Sequence, residues 1–291
     1  MDKRAVDKLI EDHYQSLPPR LQRAARYAID NPRAIALNSM RAVATEAGLP
    51  ASAMNRLARH LGFDGYEPLR AIYREWLSQG TGVFAERATA LQQRGAADKA
   101  VDLVRDIVQA DRSNLEQVGD PATLEGLKAA RDVLADARHI FVAGLRSLFP
   151  AAFYFNYACS MFMHNTSLLT GVAGVFADDL RHARAGDALV VFSYDPYARD
   201  AVSAARFARE KGMQIVAITD SVVSPVASQA AAVIVVPNTT PSFFPSVVPA
   251  MSVAQTLVAL LIANGGKDSL KEIEKSEEQL RDFAVYTQDK R

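Results

Sequence analysis

The segment LVVFSYDPYARDAV, residues 189–202, begins as an apolar run and becomes polar and aromatic from Ser193 onward. The residues after it are rich in alanine and place apolar positions at helical spacing. This order predicts a buried strand, then a polar turn, then a helix, and α/β proteins usually bind their ligands at such turns. Three roles are open for this turn: it performs catalysis, it senses a molecule, or it only connects two elements.

Four more apolar runs rich in β-branched residues lie before and after this one. Such runs are typical of strands that are buried on both faces of a parallel sheet. Helical patterns lie between them, including residues 203–212 and 223–231. We therefore predict an α/β domain over residues 121–268, with a five-stranded, doubly wound parallel sheet, and a C-terminal helix over residues 269–291. The predicted strands are residues 139–144, 166–170, 188–193, 214–219 and 232–237.

Residues 1–80 contain no convincing strand pattern and predict an all-α domain. A short helical pattern over residues 40–47 ends at Gly48, and a second one over residues 51–63 closes at Gly62. Two short helices joined by a tight turn that contains glycine form the helix-turn-helix pattern of DNA-binding proteins. Residues 81–120 are polar with a helical pattern, which predicts a helical linker between the two domains.

The second helix of this pair is the candidate DNA-reading element. It has no acidic residue between positions 51 and 63, and residues 1–80 hold 12 Lys and Arg against 9 Asp and Glu, although the whole chain has a formal net charge of zero. Arginine and asparagine read guanine and adenine edges, and serine and arginine bind phosphates. An ordinary solvated helix face is the alternative. The candidate DNA-binding residues are Ser52, Asn55, Arg56, Arg59 and His60.

The carboxyl ends of the predicted strands supply the candidate ligand site. Glycine lets a ligand approach the backbone, free N–H groups at a helix start attract anions, and arginine offers a planar, permanently charged fork. The alternatives are a structural turn with a capping serine at Ser147, and Asp195 as an N-cap with Arg199 paired to a surface acid. The loop of residues 238–248 is expected to cover the crevice or to form an oligomer contact. The candidate effector-binding residues are Gly144, Arg146, Ser147, Ser193, Tyr194, Tyr197, Arg199 and Thr219.

Several classes of function lack their sequence features. The single cysteine, Cys159, lies in an apolar segment and is expected to be a buried core residue. The five histidines have no metal-ligand spacing, and no Walker A loop or G-x-G-x-x-G motif is present, so no metal or cofactor is predicted. No histidine or glutamate stands near the turns as a base, which argues against an enzyme. No apolar run reaches the roughly 18 residues of a membrane helix, so a cytoplasmic protein is expected.

The segment LARHLGFDGYEPLR, residues 57–70, closely resembles the signature that closes the N-terminal domain of the RpiR family of bacterial transcription regulators. Residues 121–265 resemble that family's sugar isomerase (SIS) domain. The resemblance implies a DNA-binding repressor or activator whose SIS domain binds a phosphosugar or a related anionic metabolite, and which acts as a dimer or tetramer. It also implies a recognition helix over residues 51–61 and phosphate-loop serines at Ser147 and Ser193.

The chain departs from the family pattern at both loops. The usual second loop reads Ser-x-Ser-Gly-x-Thr, whereas this chain has SYDPYA at residues 193–198, followed by Arg199. The first loop has Arg146 and lacks the usual second glycine. This PY-x-R variant suggests another design for binding an anion. A sugar-phosphate isomerase, or a regulator whose SIS domain only mediates oligomerisation, are the alternative functions.

Overall fold

The computed structural model of the chain describes residues 1–79, 83–94 and 100–287. The chain divides into two compact units. The first comprises Met1–Thr89 with the short segment Val222–Pro225, and the second comprises Ala90–Ser221 and Val226–Arg291. The boundary that the sequence predicts between residues 80 and 81 lies outside the described residues.

The first unit is helical, as predicted. Its core consists of apolar side chains from all six helices that precede residue 80, among them Ile10, Ala25, Ile35, Leu57 and Tyr73. The helix that follows, α7, runs from Val83 to Arg94. The six helices are α1 (Lys3–His13), α2 (Pro19–Asp30), α3 (Pro32–Leu37), α4 (Met40–Glu46), α5 (Ala51–His60) and α6 (Tyr66–Gln79).

Two glycines end α4 and α5 as the sequence indicates. Gly48 has φ +63° and Gly62 has φ +86°, in the left-handed region that side-chain-bearing residues rarely adopt. The next residue then donates its N–H back to the helix, from Leu49 to the Ala44 carbonyl and from Phe63 to the Ala58 carbonyl. These caps produce the tight turn between α4 and α5, and the helix-turn-helix prediction is confirmed.

The second unit is built on a five-stranded parallel sheet with strand order β2-β1-β3-β4-β5. Its largest core cluster unites one face of the sheet with α9 (Pro121–Ala135), α10 (Phe149–Ser160) and α12 (Val248–Asn264), while α11 (Arg199–Glu210) contributes to the cluster on the other face. The α/β, doubly wound class is therefore confirmed. The strands are β1 (Ile140–Gly144), β2 (Thr166–Leu169), β3 (Ala188–Ser193), β4 (Gln214–Thr219) and β5 (Ala232–Val235).

One predicted helix in this unit is wrong. Residues 223–231 form turns instead of a helix. Gln229 has φ +57°, which breaks a helical path, and the Ala231 N–H pairs with the Ile215 carbonyl at the edge of the sheet. The connection between β4 and β5 therefore crosses between the two strands as a series of turns.

Helix α8 (Ala100–Val118) is packed in the second unit, although the sequence predicts a linker over residues 81–120. Its buried Asn114 donates a hydrogen bond of 2.8 Å to the Thr239 carbonyl. The last helix, α13, runs from Gly266 to Asp282. Within the described part of the chain, no single helix is long and apolar enough to cross a membrane, although α12 and α13 together, bent by 116°, pass the same length and composition test.

Candidate DNA-reading helix and effector site

Helix α5 presents a basic face to solvent. Ser52, Arg56, Arg59 and His60 are exposed, whereas the residues between them, among them Met54 and Leu57, are buried in the core of the first unit. No ion pair of Arg56 or Arg59 is found among the described residues. Four of the five candidate DNA-binding residues therefore share one accessible surface.

Asn55, the fifth candidate, is partly used by the fold. Its Oδ1 accepts the Tyr66 N–H at 3.0 Å, which satisfies a backbone donor at the start of α6. Reading adenine needs both the amide oxygen and the amide nitrogen. In this conformation one of the two lone pairs of the Asn55 Oδ1 is already used, whereas its amide nitrogen makes no hydrogen bond within the described residues.

The segment that resembles the family signature holds α6 against α3. Tyr66 is buried, and the Arg70 guanidinium donates to the Ala36 carbonyl at 3.3 Å and to the Leu37 carbonyl at 3.2 Å. These carbonyls belong to the C-terminal end of α3, where helix acceptors have no partner within the helix. The signature therefore has a structural role in positioning the helices around α5.

The candidate effector site lies where the strand order reverses. β1 has β2 on one side and β3 on the other, so the connections from β1 and β3 leave on opposite faces of the sheet. In register, Gly144 pairs with Phe192, and Ser193 pairs with Thr219. The carboxyl ends of β1, β3 and β4 therefore meet at one edge, which is the ligand crevice of open α/β sheets.

The first loop follows β1 and enters α10 through a 3₁₀ turn, Arg146–Leu148. Arg146 is exposed and has φ +56°. This left-handed conformation is the one that a glycine would adopt without cost and that few other residues adopt. Ser147 is half-buried beside it, and α10 has no side-chain cap at its N-terminus.

Gly144 is required by packing. A Cβ at this position would lie 2.5 Å from the Ala152 Cβ and 2.8 Å from the Leu148 carbonyl oxygen. Close approach of α10 to the end of β1 therefore explains this glycine, whether or not a ligand also uses the space.

The second loop, residues 193–199, places its candidate residues at different depths. Ser193 and Tyr194 are buried, Tyr197 is half-buried, and Arg199 is exposed as the first residue of α11. The N-cap of α11 is Ala198, without a side-chain hydrogen bond, so the alternative of Asp195 as N-cap is wrong. No ion pair of Arg199 occurs in the described residues, which leaves its guanidinium available.

Asp220 joins this loop to the end of β4, and the sequence-based list of site residues omits it. Its Oδ2 accepts the Asp195 N–H at 3.0 Å and its Oδ1 accepts the Tyr197 hydroxyl at 3.0 Å. Burial raises the pKa of Asp220, and the hydrogen bonds from the Asp195 amide and the Tyr197 hydroxyl oppose that rise. The strand-end position of Asp220 was a usable signal, but nothing in the sequence shows that it turns toward residue 195.

Thr219 and Tyr194 face the protein interior. The Thr219 hydroxyl donates to the Ser193 carbonyl at 2.8 Å and so ties β4 to the end of β3. The Tyr194 hydroxyl is buried without a hydrogen-bond partner among the described residues, and desolvation by burial raises its pKa. In this conformation the Thr219 hydroxyl is engaged with the backbone of the second loop, and the Tyr194 hydroxyl is not accessible to solvent.

The loop of residues 238–248 remains partly uncovered. The rings of Phe243 and Phe244 are about two-fifths exposed and lie 4.5 Å apart between centroids. Asn114 and Asp111 of α8 hold the two ends of the loop through hydrogen bonds with Thr239 and Ser246. Its role as a cover or an oligomer contact stays a prediction.

Across the described residues, no group of three His, Cys, Asp or Glu side chains is placed to hold a metal ion.

Comparison with known proteins defines the class. The model of the helix-turn-helix domain of the rpiR family matches residues 5–80, and the model of the SIS domain matches residues 133–261. A DNA-binding helical domain joined to a sugar isomerase-like domain is the architecture of a class of transcription regulators. The chain belongs to the RpiR family of these regulators.

Individual relatives agree with this assignment. The HTH-type transcriptional regulator HexR of Pseudomonas aeruginosa is 26% identical over 217 residues, which are 72% of this chain and 71% of HexR. The crystal structure of the sugar isomerase domain of an RpiR transcription factor from Sphaerobacter thermophilus has a TM-score of 0.57 and 26% identity, over 60% of this chain and 98% of that one. The Vibrio vulnificus NanR protein complexed with ManNAc-6P matches 97% of this chain and 99% of its own, with a TM-score of 0.50 and 17% identity, which shows the fold alone.

Proposed function

We propose that this protein is a cytoplasmic transcription regulator that binds operator DNA through α5 and changes its DNA affinity when the crevice between β1 and β3 binds a small anionic metabolite. The metabolite is a phosphosugar or a sugar acid. The exposed, acid-free face of α5 supports the DNA half of this proposal. The two exposed arginines at the strand ends, Arg146 and Arg199, support the other half.

The observation that carries the effector proposal is the placement of these two arginines. They follow neighbouring strands at the point where the strand order reverses, and neither has an acidic partner among the described residues. Arginine forks bind carboxylates and phosphates with two parallel hydrogen bonds. The two arginines therefore favour a site that binds an anion over an SIS domain that only mediates oligomerisation.

Two measurements test the proposal. A gel-shift titration with the DNA upstream of the protein's own gene and of its neighbours is expected to show a specific complex that survives excess unrelated DNA. A thermal-shift screen of phosphosugars and sugar acids is expected to find a stabilising compound, since a ligand at 100 times its Kd adds about 2.7 kcal/mol of stability. The absence of specific DNA binding would refute the regulator, and the absence of any shift would favour the oligomerisation-only alternative.

We propose that the SIS domain does not catalyse isomerisation. Isomerases move a proton with a base that reaches the substrate. Asp220, which directly follows β4, already accepts hydrogen bonds from the Asp195 amide and the Tyr197 hydroxyl. Incubation with aldose and ketose phosphates, followed by chromatography of the products, is expected to show no conversion, and enzyme-dependent conversion would contradict this.

We further propose a homodimer or homotetramer, because a two-fold axis would place two α5 helices on the two halves of a palindromic operator. Sedimentation of the free protein is expected to give twice or four times the mass of one chain. A monomer that stays a monomer on DNA would refute this part of the proposal.

A further inference from the structure

The hydrogen-bond donors of the second loop are already used by a side chain of the protein. The Asp195 amide and the Tyr197 hydroxyl both donate to the Asp220 carboxylate, each over 3.0 Å. A loop amide and a hydroxyl directed at a carboxylate form the kind of arrangement that would otherwise hold a bound anion. The Asp220 carboxylate, directly after β4, therefore occupies the second loop as an anion that belongs to the protein itself.

A second carboxylate stands in the same loop. Asp195 is half-buried, and the described residues include no hydrogen bond or ion pair of its carboxylate. A phosphate placed in this loop would meet Asp195 and would have to displace Asp220, and like charges at such short distances repel strongly in a partly buried site. The loop is therefore built against an anionic ligand group.

The unpaired positive charges lie to either side of this loop. Arg146 follows β1 and leads to α10 on one face of the sheet, whereas Arg199 begins α11 on the other face. Arg146 has a φ of +56°, a conformation that favours glycine, so the first loop carries a bulky cation where a glycine would fit more easily.

We propose that Asp220 is an internal anion that fills the second loop, so that the anionic group of the effector binds Arg146 and Arg199 and its hydroxyl groups donate to Asp195. This inference rests on the proposed function of the SIS domain as a metabolite sensor. It selects a class of ligand that combines an anionic group with hydroxyl groups. It also makes Asp220 and Asp195 determinants of ligand specificity. Asp220 occupies the donors that a phosphate in the second loop would need, and Asp195 places a second carboxylate there.

Isothermal titration with inorganic phosphate and with gluconate tests whether Arg146 and Arg199 bind the anionic group of the effector. Arg146→Ala and Arg199→Ala are each expected to weaken the binding of both probes at least tenfold. The matched control is Arg206→Ala, which removes an exposed arginine from the same helix, α11, seven residues after Arg199, and is expected to change affinity less than twofold. Unchanged affinity in both Arg146→Ala and Arg199→Ala would overturn the proposal.

Asp220→Asn tests the internal anion. Replacing the carboxylate by a neutral amide removes its repulsion of a phosphate and weakens its hold on the two donors, so the affinity for inorganic phosphate is expected to rise at least fivefold, with a melting curve checked alongside. A folded Asp220→Asn protein that binds phosphate no better than the wild type would refute the internal anion. If the variant does not fold, Asp220→Ser provides the same test, because it also removes the charge and leaves the Asp195 amide and the Tyr197 hydroxyl without their carboxylate acceptor.

The outcomes also separate this inference from the proposed function. A wild type that binds neither probe, together with an Asp220→Asn variant that binds phosphate, would support the internal anion and count against the sensor. Failure of every variant to bind phosphate would overturn the inference. Specific binding to upstream DNA in the gel shift would in that case still support the regulator.

Discussion

Gly144 shows how one missing side chain positions the effector site. The substitution Gly144→Ala would place a Cβ 2.5 Å from the Ala152 Cβ, so α10 must move away from β1. We expect a loss of about 1–3 kcal/mol in the free energy of unfolding, typical of an overpacked core. Urea denaturation measures it. Gly119→Ala is the comparison, since its Cβ would meet only the Glu116 carbonyl oxygen at 3.3 Å; an equal loss in both variants would contradict this explanation.

Arg56 is the residue whose loss should most directly affect DNA binding. It is exposed on the basic face of α5 and has no acidic partner in the described residues. If Arg56 contacts a base, Arg56→Ala is expected to cost about 1–3 kcal/mol of operator affinity. If Arg56 contacts a phosphate, binding weakens for all DNA sequences, and the slope of log K against log salt concentration becomes smaller by about one. Gel shifts at two salt concentrations distinguish these cases. Arg105→Ala, an exposed arginine on α8, is the control, and equal affinities for the wild type and Arg56→Ala would remove Arg56 from the interface.

Cys159 provides a probe of the second unit. The side chain is fully buried in the main core cluster, and desolvation by burial raises the pKa of the thiol to about 12. Because the thiolate is the reactive form, the native protein at pH 8 is expected to react with a thiol reagent only through unfolding. In the denatured protein, one thiol per chain should react at once. Rapid reaction of the native protein would show that α10 opens locally.

At the scale of elements, α6 begins with help from α5. The Asn55 Oδ1 accepts the Tyr66 N–H at 3.0 Å, and the Asn55→Ala substitution leaves that donor without its partner. We expect a loss of about 1 kcal/mol in the stability of the first unit, the usual cost of removing a helix cap. Thermal denaturation followed by circular dichroism measures it. Asn55→Asp keeps the acceptor and is expected to stay within a few tenths of the wild type, and equal destabilisation by both variants would contradict the cap.

The elements that the sequence predicts well are those with a strong local pattern. β3 and β4 run over the predicted residues, because each is a continuous apolar run bounded by polar residues. The turns at Gly48 and Gly62 are also predicted, since a positive φ requires glycine there. Residues 223–231 mislead because their alanine-rich spacing resembles a helix, whereas they form turns, with Gln229 at φ +57° and the Ala231 N–H bonded to the Ile215 carbonyl.

The site follows the same division. Parallel strands place their carboxyl ends at one edge, so the sequence could predict that residues 144–147 and 193–199 meet there. Side-chain direction could not be predicted, and it decides which residues are available. Thr219 turns inward to the Ser193 carbonyl, and Asp220, which the sequence does not single out, becomes the centre of the second loop.

At the scale of the molecule, each unit has its own core. One cluster fills the helical unit, and two others cover the two faces of the sheet. The elements proposed for DNA and for the metabolite therefore belong to separately packed units. A ligand changes DNA affinity only if it binds differently to the states that differ in DNA affinity.

Reciprocity gives this coupling a strict test. A compound found in the thermal-shift screen is expected to change the Kd for upstream DNA by about 5–150-fold, the usual range of coupling free energies, and saturating DNA must change the Kd of the compound by the same factor. Fluorescence anisotropy measures the first constant and isothermal titration the second, at one salt concentration. The double variant with Arg146→Ala and Arg199→Ala is expected to bind DNA like the wild type without the compound and to show no response to it. A compound that alters DNA binding equally in the wild type and in this variant would act outside the crevice, and the proposed link between the strand-end arginines and DNA affinity would be wrong.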